Sequence, residues 1–213
     1  MRVRGMFVLV FFLLLLTVCT APGAASTSNG ASGLLRIPTT ATLSQGSFRI
    51  GYHYADQENT GSLTLGLYPG VEASVSSVLR DGLTAVTAHG KVRVLDEDAA
   101  MPALALGVES HSDGPGFYAV ASKQVGTPML RAHVGWGTRQ FNGFFGGLGY
   151  LVNPVSARSN AGITVPPTTA AVEYDGRKWH AGVKMDLTEE FEGRLYVTDF
   201  SSIGFNVSYT TRF

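Results

Sequence analysis

The 213-residue sequence predicts an all-β fold: an antiparallel transmembrane β-barrel of about twelve strands, preceded by a cleaved signal peptide. Three observations predict it. Apolar and polar residues alternate from Ser47 to the last residue, and a period of two puts one kind of side chain on each face of a strand. The chain opens on an export-type segment and closes on an aromatic residue, Phe213. Composition agrees. The 26 glycines, four lysines and 15% charged residues disfavour a helical bundle, a coiled coil and a charged disordered tail. The 16 basic residues balance the 16 acidic ones, so no nucleic-acid partner is expected.

Residues 1–25 read as the signal peptide. Arg2 and Arg4 form a basic start, Met6 to Val18 is apolar except for Thr17, and Ala21-Pro22-Gly23-Ala24-Ala25 is small and cleavable. That apolar run of 13 residues is too short for a spanning helix, which needs ~20. Cys19, the only cysteine, lies in this segment. Leu16-Thr17-Val18-Cys19 is similar to a lipoprotein box, except that Val18 stands where a small residue is expected; lipidation is the alternative. Cleavage after Ala25 leaves 188 residues with 14 basic against 16 acidic and no cysteine, hence no disulfide.

Residues 26–45 form a leader, polar and flexible at its start, that is expected to serve as a plug or a periplasmic segment. It contains Leu34-Leu35-Arg36-Ile37-Pro38. Residues 46–213 form the barrel. Phe48, Ile50, Tyr52 and Tyr54 alternate with Arg49, Gly51 and His53; Leu63, Leu65 and Leu67 follow, then a Pro69-Gly70 turn. Val71 to Val75, Val86 to Val94, Leu104 to Val108, Tyr118 to Val120 and Leu130 to Trp136 continue the pattern. Phe144 to Val152 is glycine-rich. After a long loop, Asn153 to Pro167, come Val172 and Tyr174, Trp179 to Met185, Leu195 and Val197, and Ile203 to Phe213. Twelve segments over 168 positions leave about 14 each, enough for a membrane strand of ~9–11 residues plus a turn.

The polar face is rich in Gly, Ser, Thr and His, with isolated charges of both signs. A soluble sandwich would carry many surface Lys and Glu instead. The polar face is therefore expected to line the lumen, with Arg49, His53, Glu72, His89, Lys91, Arg93, Glu109, Lys123, Arg131, His133, Glu173, Asp175, His180, Lys184, Asp186, Arg194 and Arg212. The apolar face, with aromatics near segment ends, is expected to meet outer-membrane lipid.

The terminal stretch Ile203-x-Phe205-x-Val207-x-Tyr209-x-Thr211-x-Phe213 resembles the C-terminal insertion signal of bacterial outer-membrane barrels. Phe205, Val207, Tyr209 and Phe213 would then be read by the barrel assembly machinery. Two further stretches carry a family resemblance. Gly33-Leu34-Leu35-Arg36-Ile37-Pro38-Thr39-Thr40-Ala41 with Gly46-Ser47-Phe48-Arg49-Ile50-Gly51-Tyr52, and Ala171-Val172-Glu173-Tyr174-Asp175-Gly176-Arg177 with Trp179 and Gly182, resemble YjbH-type outer-membrane proteins. Phe117 to Lys123 is compatible with the same family. The resemblance implies a short, single-barrel relative associated with exopolysaccharide production or export, with polysaccharide as a partner. It brings no catalytic residues.

Enzymatic readings find little footing. His53, His89, His133 and His180 fall on the inward face and His111 in a loop, but no Gly-x-Ser-x-Gly elbow or ligand-spaced His pair accompanies them. Glu173 and Asp175 share one face and could form a glycosidase pair, or pair with Lys184, Arg194 or Arg212. His89, Lys91 and Arg93 make a basic stripe that guides an anionic sugar or balances Glu72 and Glu109. Gly143 to Gly149 lacks the Lys-Ser/Thr of a phosphate loop. No cofactor, metal or catalytic residue is assigned. The alternatives are a soluble or lipid-anchored periplasmic glycan-binding β-sandwich, with Tyr52, Trp136 and Trp179 as sugar platforms, and an outer-membrane barrel hydrolase using His133 or His180.

Overall fold

The computed structural model describes residues 27, 29–111, 114–158 and 164–213. The expected signal peptide and Cys19 lie outside the described residues. Twelve of the described strands close into one antiparallel barrel. They are β1 (Ser47–Ala55), β2 (Glu58–Tyr68), β3 (Val71–Arg80), β4 (Leu83–Leu95), β5 (Ala103–His111), β6 (Gly114–Gln124), β7 (Leu130–Gly137), β8 (Gly143–Asn153), β11 (Thr168–Tyr174), β12 (Trp179–Asp186), β13 (Phe191–Thr198) and β14 (Ser202–Arg212). Closure is made by β1 against β14, from Ser47 opposite Arg212 to Tyr54 opposite Phe205. A barrel leaves no unpaired strand edge, which lipid would not tolerate. The sandwich alternative is thereby excluded.

Two readings of individual elements are corrected. The stretch after Asn153 is not a plain loop: β9 (Ala157–Arg158) and β10 (Thr164–Val165) pair as a small separate hairpin. His111 is not in a loop; its backbone ends β5 opposite Gly114.

Neighbouring strands are joined tightly at the end remote from the termini, here the far end. Asp56 and Gln57 both have positive φ, as do Asp81 and Gly82. This is the two-residue geometry whose twist matches paired strands, and Asp and Gly are the residues that adopt it at least cost. The terminal end carries Gly46, Phe213 and the turn at Pro69-Gly70.

The outer surface carries Ile50, Leu63, Val134, Leu148 and Leu195, all exposed, in a continuous apolar belt. Tyr52, Trp136, Phe144 and Trp179 ring it at the far end, and Phe48, Tyr150, Phe191 and Tyr209 at the terminal end. Such paired girdles fit the two interfaces of a bilayer. The core is inside the barrel. Tyr118, Val120, Phe141, Phe145, Ala171 and Tyr196 pack there with Leu34, Leu35 and Ile37 of the leader.

Strand β6 is phased opposite to expectation. Tyr118 and Val120 point inward and are buried. Both faces of this strand bear small or apolar side chains, so alternation fixes its spacing but not its sign. Room inside decides. Gly107 stands opposite Tyr118, and a Cβ there would come within 2.2 Å of the ring. The ring lies over that glycine, and its hydroxyl meets His89 Nε2 at 2.7 Å.

A candidate functional site in the barrel lumen

The leader enters the lumen and folds there as a narrow hairpin. Gly33 bridges to Pro38, the Leu34 N–H donates to the Ile37 carbonyl at 3.0 Å, and the Thr39 N–H donates to the Ser32 carbonyl at 3.2 Å. The tip is Leu35-Arg36. From there the chain returns to the terminal end, where the Gly46 N–H reaches the Gly66 carbonyl at 3.0 Å. Gly66 has no side chain for a reason: a Cβ would lie 2.0 Å from the Ser44 carbonyl oxygen. Fixing this segment costs ~1–2 kcal/mol per residue in backbone entropy, so the barrel wall must supply compensating contacts.

Two buried carboxylates supply six hydrogen bonds to the leader. Glu173, on β11, accepts the consecutive N–H groups of Leu35 (2.9 Å), Arg36 (2.5 Å) and Ile37 (3.2 Å). Glu72, on β3, accepts the Ser32 N–H (2.8 Å), the Ser32 hydroxyl (2.6 Å) and the Leu43 N–H (2.8 Å). Lys91 pairs with Glu72 at 3.0 Å and donates to the Ser32 carbonyl at 2.6 Å, with both side chains fully buried. Arg194 donates to the Leu35 carbonyl at 3.0 Å while its Nε holds Glu192 at 2.9 Å. Thr64 donates to the Gly30 carbonyl, and Ser74 to that of Asn29. The Thr40 N–H reaches Ser122 Oγ, itself 2.8 Å from His133 Nδ1. The carboxylates thus meet peptide N–H groups that the hairpin's own ladder leaves over.

The other expected lumen residues divide by depth. Arg49, His53, His89, Glu109 and His180 are buried inside. Arg49 donates to Thr210, and His53 meets the Tyr196 hydroxyl. Lys184 lies between Asp186 and Glu192, at 3.3 and 3.4 Å. Arg93 and Arg131 sit at the terminal rim, paired with Asp96 and Glu97, and Arg212 is exposed there. Lys123 is misassigned. It shares the outward phase of β6 with Ala119 and Ala121, and its Nζ caps the carbonyls of Asp98, Ala99 and Met101 on the rim. Glu173 and Asp175 do not pair with Lys184, Arg194 or Arg212. Glu173 holds the leader, while Asp175 lies past the end of β11 and meets His180 Nε2 at 2.8 Å.

Several participants escaped the sequence reading. Glu192 shares a face with Arg194 two residues on, and starting that strand at its first residue would have found it. Ser32, Tyr118, Ser122 and Tyr196 gave no signal, since a hydroxyl in a barrel strand reads as filler.

The hairpin tip opens onto a second feature, a basin of about 510 Å³ at the far end. Arg36, Arg80, Arg139, Arg177 and Lys178 line it with Asp56, Glu58, Asp175 and Gln140. Arg36 reaches Asp56 at 3.2 Å. Burial alone would raise the Asp56 carboxyl, but the Ser202 hydroxyl, Lys178 and Arg36 outweigh it and hold it below its ordinary value.

A family model described as YjbH, exopolysaccharide biosynthesis protein YbjH, matches residues 26–207. The chain belongs to the YjbH family. A comparison with curated proteins found no match. Among solved structures, the KdgM porin is similar with a TM-score of 0.52 and 10% identity over 78% of this chain and 99% of the porin. The Acinetobacter baumannii outer membrane protein Omp33 has a TM-score of 0.47 and 10% identity over 80% and 98%. The KdgM likeness speaks for the fold. The YjbH-family chain is a porin-like barrel whose leader, matched as part of the family model, occupies its lumen.

Proposed function

We propose that this YjbH-family barrel resides in the outer membrane and serves exopolysaccharide production or export as a channel closed by its own leader, without catalysing a reaction. The exopolysaccharide link is supported by the family, and the membrane setting by the apolar belt between two aromatic girdles. The single observation that carries the closed-channel reading is the leader hairpin held across the lumen by Glu72 and Glu173. Both clasps are polar and bind backbone, so the hairpin can leave without unmaking the strand ladder. Asp175–His180 ends on the Thr198 hydroxyl and Ser122–His133 ends on a backbone N–H, so both dyads are used as structural links.

Planar-bilayer recording of the purified chain tests this. The whole chain is expected to conduct weakly, and a Glu72→Gln, Glu173→Gln double variant to open to larger, longer steps. Equal conductance of the two, with both folded by heat-modifiable migration, would overturn the closed-channel reading. In a producing cell, removing the protein is expected to lower exopolysaccharide output.

A further inference from the structure

We propose that the far-end basin is a binding site for a carboxylate-bearing glycan, with the leader's Arg36 as one of its ligands. The inference rests on the polysaccharide reading above and names the class of sugar. At about 510 Å³ the basin falls within the ~300–1,000 Å³ of small-molecule sites. Its wall holds five cationic side chains against three carboxylates.

The carboxylates are already engaged. Asp56 accepts Arg36, Lys178 at 3.5 Å and the Ser202 hydroxyl at 2.7 Å. Glu58 accepts Arg80 at 2.8 Å. Asp175 accepts His180 and the N–H groups of Arg177 and Lys178. Arg36, Arg80 and Arg177 retain donors. A guanidinium carries five N–H groups, and Arg177 places Nη2 on the Arg139 carbonyl at 2.7 Å. The Arg80 side chain is 62% exposed.

Donors in excess favour an anion, and the planar guanidinium fork matches a carboxylate. The interspersed carboxylate oxygens favour a ligand that also brings hydroxyl donors, and they repel a dense anion such as phosphate. A uronic-acid sugar offers both: one carboxylate and several hydroxyls on each unit. Because Arg36 is the hairpin tip, a ligand that draws it from Asp56 pulls on the leader itself.

The test is titration of the full chain in detergent with a mannuronate hexamer, against neutral maltohexaose and inorganic phosphate. Binding of the acidic hexamer alone is expected, weakened about tenfold by an Arg177→Gln, Lys178→Gln double variant and by raising salt from about 0.05 M to about 0.5 M. Equal binding of maltohexaose, full affinity in the double variant, or displacement of the hexamer by equimolar phosphate would each overturn the assignment. Failure here with exopolysaccharide output still dependent on the protein removes the acidic-glycan site and leaves the export reading standing. Binding without that dependence does the reverse.

Discussion

Glu173 is one carboxylate facing three consecutive peptide N–H groups, and its charge is what makes those bonds strong. Hydrogen bonds to a charged group contribute ~1.5–3 kcal/mol. Glu173→Gln keeps the shape but loses the charge, and is expected to free the hairpin tip while the barrel stays folded. A cysteine placed at Leu35 should then react with a bulky aqueous thiol reagent that spares it in the parent. At Asp56 the sign of the pH effect is fixed by its lowered carboxyl. A depressed acid stabilises above its unfolded value of 3.8 and loses that contribution as pH falls through the lower folded value. Unfolding midpoints of the parent and Asp56→Asn should therefore differ at neutral pH, differ still just above pH 3.8, and converge only as pH falls through the lower folded value.

A strand here is specified by what each of its faces touches. Leu63 and Val134 lie mid-strand on the outer apolar face; in the proposed membrane setting, arginine costs ~2–4 kcal/mol at the bilayer midplane. Val134→Arg is expected to lower stability in vesicles by that amount, read by urea titration, whereas Val94→Arg near the rim should cost under ~1 kcal/mol. The inner face obeys a different constraint. Tyr196 lies over Gly204 on the neighbouring strand, and a Cβ there would sit 2.4 Å from the ring. Gly204→Val must push the ring from His53 and His180, at a cost of ~1–3 kcal/mol.

At the scale of the molecule, wall and leader form one object. The barrel alone would enclose Glu72, Lys91, Glu173 and Arg194 with half their partners missing, and a buried charge without partners is costly. The leader provides those partners, and its Leu34, Leu35 and Ile37 give the interior its apolar contacts. Removing residues 29–43 is therefore expected to yield a barrel that still inserts but swells in conductance and melts at lower temperature. Retention of the parent melting point, measured by the shift between folded and unfolded gel bands, would refute this coupling.

Strand number, hairpin spacing and the outward apolar stripe were legible in the sequence because period two is a local property: Ile50, Tyr52 and Tyr54 declare their shared face without any knowledge of the partner strand. Period two does not set the sign of β6, where both stripes are apolar or small, and Lys123 there lies on the outward stripe at the rim rather than in the lumen. The place of the leader, the choice of Glu173 as its clasp rather than as an ion-pair partner, and the gathering of Arg36, Arg80 and Lys178 around one basin were settled only by closure of the barrel. These residues are far apart in the chain, and which carboxylate meets which backbone group depends on the tilt and register of twelve strands at once. No run of neighbouring residues encodes such a coincidence.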